Sequence, residues 1–161
     1  MIVHPFDPLY DENSEILILG SFPSVKSREQ MFYYGHPQNR FWKVMAFALG
    51  EDVPQTIEEK KAMLFKHHVA LWDTIYSCEI TGSSDASIKN AVPNDIAGLV
   101  KKTNIRHVYC NGKASYKLYM KYIDGDMDLP VTDLPSSSPA NAVWTLEKLC
   151  AKWASEIDIG D

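Results

Sequence analysis

The sequence predicts an α/β domain built on a mostly parallel sheet, and three observations predict it. Short apolar runs of strand length recur along the chain, separated by stretches whose apolar residues fall at helical spacing. Strand and helix therefore alternate, as in βα units. The runs are apolar without a polar alternate face, as expected of strands covered by helices on both sides. The 161 residues are 45% hydrophobic and 23% charged, enough to fill one core and too few for a second, so residues 1–161 are read as a single domain.

In order, residues 15–20 are the first strand, an aliphatic run ended by Gly20. Residues 21–38 form a polar, aromatic loop. From 39 to 49, Phe41, Trp42, Met45, Ala48 and Leu49 recur at helical spacing, so this helix buries an aromatic face. Residues 56–67 are a helix charged on one side, and 69–75 are a second buried strand. A loop at 82–85 leads to a helix over 93–102, where Asn94 or Asp95 is suited to hold the free amides of the first turn. The third strand spans 106–110 and is broken by Asn111-Gly112. A helix over 114–122 carries Leu118 and Tyr122 four apart, and 129–134 are the fourth strand. Residues 135–141 are a Ser- and Pro-rich loop before a last helix from 143 to about 153, with Trp144, Leu146, Cys150 and Trp153 for packing.

Several chemistries are disfavoured. No apolar run reaches the roughly 18 residues that span a bilayer, and residues 1–10 lack a signal-peptide pattern, so the reading is cytoplasmic with no membrane partner. Cys78, Cys110 and Cys150 are far apart and odd in number, which argues against a disulfide framework or structural zinc. His107-x-x-Cys110 is half of a metal site with no second half nearby, so no metal is expected. Gly112-Lys113 lacks the upstream glycine of a phosphate-binding P-loop, and neither the zinc-deaminase pattern nor G-x-G-x-x-G is present.

Ligands of open α/β sheets bind at the carboxyl ends of the strands. That rule selects Ser21-Phe22-Pro23-Ser24, Asp73 onward, Asn111-Gly112, and Ser136-Ser137-Ser138-Pro139-Ala140-Asn141. The first of these is followed by Tyr33-Tyr34-Gly35-His36-Pro37-Gln38-Asn39-Arg40-Phe41-Trp42. With these loops in this order, the chain resembles the uracil-DNA glycosylase superfamily, and within it the hypoxanthine-DNA (deoxyinosine) glycosylase branch. The mismatch-specific branch is similar through the H-P-x-N-R-F-W stretch. The resemblance covers nearly the whole chain, and it implies a three-layer α-β-α sandwich around a four-stranded, mostly parallel sheet. It also implies hydrolysis of the N-glycosidic bond of deoxyinosine in double- or single-stranded DNA, with a flipped base, no cofactor and a monomeric enzyme.

The resemblance assigns roles residue by residue. Asn39 is the catalytic candidate, its amide positioning a water toward C1′; as a plain helix-capping Asn it has a second reading. The base-binding candidates are Ser21, Phe22, Pro23, Tyr34, His36, Asp73 and Asn111. Phe22 stands where many members carry an Asp or Asn, which disfavours ordinary uracil excision, though the ring is equally readable as core. Tyr34 corresponds to an aromatic that stacks on the flipped base. His36 also reads as a turn residue. Asp73 is placed to accept from the N1–H of hypoxanthine, which adenine lacks, or else to cap or turn the chain. Asp85 is a further loop carboxylate that reads as a cap. The DNA-binding candidates are Ser24, Lys26, Arg40, Ser136, Ser137, Ser138, Pro139, Ala140 and Asn141, the last six forming a phosphate-facing loop with a small wedge at Pro139-Ala140. Uracil- or mismatch-directed excision, a non-catalytic nucleic-acid-binding module and an enzyme of free nucleosides are the alternatives.

The net charge of −5 at first opposes an anionic partner. It is unevenly spread. Residues 21–43 carry +3 and 101–121 carry +6, leaving −14 on the rest, so these two basic segments are expected to mark the face that meets DNA.

Overall fold

The computed structural model describes residues 1–157. Its strands are β1 (Ile2–Val3), β2 (Ile16–Gly20), β3 (Val69–Asp73), β4 (Ile75–Glu79), β5 (Lys89–Pro93), β6 (His107–Asn111) and β7 (Val131–Leu134). The helices are α1 (Val25–Gln30), α2 (Phe41–Leu49), α3 (Ile57–Lys66), α4 (Ile96–Lys101), α5 (Lys113–Tyr122) and α6 (Leu146–Glu156). The main sheet runs β3-β2-β6-β7, and every pairing in it is parallel. The predicted fold class is therefore the observed one.

Side-chain alternation along β2 makes the three layers. Ile16 and Ile18 point with Val69, Leu71 and Tyr109 into a cluster with Phe41, Met45, Leu64, Leu149 and Trp153, so α2, α3 and α6 cover one face. Leu17 and Leu19 point the other way, with Ala70, Val108 and Cys110, against Leu99, Tyr119 and Ile123, so α4 and α5 cover the second. Both faces of β2 are fully buried, which is why its sequence shows no polar alternation. The Ser115 hydroxyl donates to Leu19 O at 2.7 Å and fastens α5 across the strand it covers.

Three element expectations are corrected, and one open choice of cap is decided. The run 69–75 does not stay in one sheet: the Thr74 amide turns to Gly20 O, and the chain continues as β4 in a separate antiparallel sheet, β1-β4-β5. Phe22, Ile75 and Cys78 form a small cluster beneath this sheet. A helix, α1, interrupts the loop 21–38, capped by Ser24, whose Oγ accepts from Ser27 N at 3.1 Å. The last helix starts at Leu146 because Thr145 caps it, accepting from Lys148 N at 3.2 Å, and this leaves Val143 82% exposed in the preceding turn. Of the two cap candidates for α4, Asp95 holds Gly98 N at 3.0 Å, while Asn94 donates to Asp73 O and Ile75 O and braces the β3–β4 bend. Among the described residues no helix is long and apolar enough to cross a membrane.

Candidate active site

The last residues of β2, β3 and β6, namely Gly20, Asp73 and Asn111, open with the loop after β7 on a cleft of about 310 Å³. Fourteen of the seventeen site candidates line it: Ser21, Phe22, Pro23, Ser24, Tyr34, His36, Asn39, Asp73, Asn111, Ser136, Ser137, Ser138, Pro139 and Ala140. Ser27, Tyr33, Ser83, Asp85 and Gly20 line it as well. Two backbone positions bring its walls together. Gly20 stands opposite Asp73 in the sheet register, and a Cβ there would fall on Asp73 Oδ1. Gly112, with φ of 98°, passes so close to the last loop that a Cβ would sit 3.0 Å from that of Ser136.

Asn39 is fixed by a chain of three polar side chains. The Asn111 amide donates to Ser137 Oγ at 3.0 Å, and the Ser137 hydroxyl donates to Asn39 Oδ1 at 2.8 Å. Asn111 Oδ1 in turn accepts from Ser137 N at 3.0 Å. Asn39 Oδ1 also accepts from Phe41 N at 3.0 Å, at the start of α2. Two donors on one carbonyl settle which way the amide faces. Its acceptor is fully engaged, and what Asn39 presents is Nδ2, which has no partner among the described residues.

Asp73 is buried, 4% exposed, and its Oδ2 is bound at 2.7 Å by His4 Nε2. His4 arrives from the far N-terminus inside an aromatic shell of Phe6, Phe22 and Tyr33. That leaves Asp73 Oδ1 as an acceptor on the cleft side, beside Gly20 and the Tyr34 hydroxyl. Tyr34 takes a left-handed backbone, φ 54°, uncommon for a bulky residue, and its ring stacks on Phe41 at 3.9 Å. Its hydroxyl is buried near Asp73 and Asn111 without a well-formed hydrogen bond, and burial raises its pKa above the ordinary phenol value. Asp85 is the second carboxyl lining the cleft, accepting from the Ser21 hydroxyl at 2.5 Å. Burial raises its pKa above the ordinary carboxylate value, against the lowering effect of Ser21.

Three candidates are placed outside the lining. Arg40 does not reach outward for phosphate: Nε donates to Ser137 O, Nη2 to Ser138 O at 2.7 Å and Asn141 O at 3.2 Å, and Nη1 to Trp144 O. It is the clamp of the last loop. Asn141 also faces inward, its amide donating to Ser136 O at 3.0 Å. Lys26 stands on the exposed side of α1, 3.5 Å from Glu29. Ser136 and Ser138 tie their own loop, accepting from Ser138 N and Ala140 N, and His36 braces its turn by accepting from Gln38 N. His4 gave no sequence signal, because 69 positions separate it from its partner.

The sequence model of the uracil DNA glycosylase superfamily matches residues 8–156. A curated protein of Methanosarcina acetivorans named hypoxanthine DNA glycosylase is 38% identical over 143 residues, covering 88% of this chain and 89% of that one. One of the same name from Methanosarcina barkeri is 37% identical over 112 residues, covering 68% and 71%. Among solved structures, a solution NMR structure of a Methanosarcina acetivorans protein described as a candidate uracil DNA glycosylase superposes with a TM-score of 0.83 at 34% identity, covering 97% of this chain and 96% of that one.

Proposed function

The chain belongs to the uracil DNA glycosylase superfamily, and from that premise we propose that it excises hypoxanthine from DNA by hydrolysing the N-glycosidic bond of deoxyinosine. The observation that carries this reading is the pairing in one cleft of an amide donor, Asn39 Nδ2, with a carboxylate acceptor, Asp73 Oδ1, each held by other side chains. A base must leave the duplex to reach such a cleft, at a cost of a few kcal/mol that is smallest at a mispair. Hypoxanthine there offers N1–H to Asp73, and Tyr34, backed by Phe41, supplies the stacking surface. Phe22 in place of a carboxylate or amide supports hypoxanthine over uracil.

Asn39 holds the attacking water by donating Nδ2–H to its oxygen, so the lone pair left on that oxygen is aimed at C1′ as the bond to N9 loosens. The substrate is double- or single-stranded DNA containing a deaminated base, and the enzyme works as a monomer in the cytoplasm. Duplexes carrying one inosine, incubated with the protein and treated with alkali, test the reading. Breakage at the inosine, abolished by Asn39→Ala, is expected. Cleavage confined to uracil duplexes would move the activity to the alternative base, and binding with no base release would reduce the protein to a non-catalytic module.

A further inference from the structure

We propose that Asp85 is a catalytic residue of this site, its carboxylate taking the proton of the water that attacks C1′. The inference rests on the glycosylase reading above and supplies what the other cleft residues lack. In the first loop, the residue flanking Pro23 is the apolar, buried Phe22. The Asn39 carbonyl is spent on Phe41 N and the Ser137 hydroxyl, so Asn39 can hold a water but cannot take its proton. Asp73 has one oxygen bound to His4 and the other committed to the base edge. Asp85 remains.

Asp85 has no helix-capping duty. The short turn Asp85–Ser87 carries no side-chain cap, and the carboxylate bonds to the Ser21 hydroxyl at 2.5 Å, inside the cleft. Ser21 follows directly on β2, so a rigid strand end aims this carboxylate. The charged and titratable groups sharing its surroundings are Asp73 with its partner His4, Tyr33, Tyr34 and His36 in the cleft, and Cys78 and Arg28 beside it. Arg28 is held away on Pro23 O at 3.1 Å and Gly82 O at 2.5 Å. Asp85 keeps an edge open to solvent, yet desolvation on its cleft side and the Asp73 charge both raise its pKa above the ordinary carboxylate value, with Ser21 moderating the effect.

The step balances as follows. The C1′–N9 bond breaks with both electrons leaving on the base, and the water oxygen bonds to C1′. One water proton passes to Asp85 and then to solvent, while the base takes up one proton from solvent. Deoxyinosine and water thus become hypoxanthine and an abasic deoxyribose with a 1′-hydroxyl. The carboxylate also faces the positive charge that develops on the sugar.

Single-turnover release of hypoxanthine from an inosine duplex, followed across pH alongside duplex affinity by anisotropy, tests the assignment. Asp85→Asn is expected to slow release by about 10²–10⁴-fold at neutral pH, with affinity within about threefold and the acid limb of the rate profile gone. Ser21→Ala leaves the carboxylate in place and removes the hydroxyl that lowers its pKa, so the acid limb should move to higher pH. Release by Asp85→Asn within about threefold of the unaltered protein, or an unchanged acid limb, overturns the proposal. Should Asp85→Asn fail to fold, an unmoved limb in Ser21→Ala overturns it instead. An unaltered protein that releases no hypoxanthine overturns the glycosylase reading itself, an outcome distinct from an active protein indifferent to Asp85.

Discussion

Asn39 combines a local backbone contact with an open donor in one side chain. The carbonyl of its amide accepts from Phe41 N at the start of α2 and the NH2 of the same amide faces the cleft, so a substitution there removes a brace of the helix start and a site donor together. Asp73 and His4 separate more cleanly. Asp73→Asn replaces one acceptor oxygen by a donor, and discrimination of inosine over adenine should fall by about tenfold, the equivalent of one hydrogen bond. Competition between inosine and adenosine duplexes measures it, and unchanged selectivity would remove Asp73 from base reading. His4→Phe strands the buried Asp73 Oδ2 at a cost of about 1–3 kcal/mol, read as a lower Tm, whereas His4→Gln keeps a donor and most of the stability. Asp85 has the opposite sign. Because burial raises its folded pKa above the unfolded value of 3.8, the folded chain holds this proton more tightly. Its contribution is therefore stabilising in acid and is lost as pH rises through the folded pKa. Because Asp85 keeps an exposed edge, solvent screens most of this penalty, and Asp85→Asn should melt only slightly higher than the unaltered protein at neutral pH, with the gap closing near pH 3. A carboxylate kept against its own desolvation is the pattern of a stability cost borne at a functional site.

At the scale of elements, the strands and helices of the main sheet were legible because each buried face imposes its own period on the sequence. β2 is apolar on both sides, and α2 repeats Phe41, Trp42, Met45 and Leu49. The second sheet was not legible. Its strands are half exposed and irregular, with register shifts between β4 and β5, and the bend that frees β4 from the main sheet is held by scattered bonds from Thr74, Ile75 and the distant Asn94. Nor was the work of Arg40, since a cation beside a Ser-rich loop reads equally well as a phosphate contact or as a clamp. The two are separable by experiment. Arg40→Lys keeps the charge but cannot reach the carbonyls of Ser137, Ser138, Asn141 and Trp144 together. A clamp predicts that this variant loses about 1–3 kcal/mol of stability and much of its turnover, because Ser137 no longer orients Asn39, while the salt dependence of DNA binding stays as it was. A phosphate contact predicts near-normal stability.

For the whole molecule, the fold turns a charge map along the chain into a different map in space. Parallel strands put the cleft at one edge of the sheet, and a segment that crosses the sheet visits both edges. Residues 101–121 do so. Arg106 lies at the start of β6, 3.7 Å from Glu15 at the start of β2, on the edge opposite the cleft, and the Lys102 ammonium rests 5.2 Å from the Tyr10 ring on the way there. Of that segment's six cations, exposed Lys113 at the start of α5 stands one residue beyond Gly112 from the cleft residue Asn111. In residues 21–43, Arg28 and Arg40 are committed to backbone carbonyls, and Lys26 remains outward beside Ser24 and Ser27. The basic segments therefore mark a much smaller DNA-facing surface than their sum suggests. Each phosphate neutralised contributes a slope of about −0.9 to log K against log salt on duplex DNA. Lys26→Gln and Lys113→Gln should each weaken binding and flatten that slope by about 0.9, whereas Lys101→Gln with Lys102→Gln should leave both affinity and slope unchanged. Anisotropy titrations of an inosine duplex over a salt series decide it. A flatter slope in the Lys101, Lys102 pair and none in the Lys26 or Lys113 variants would place the DNA across the other edge of the sheet.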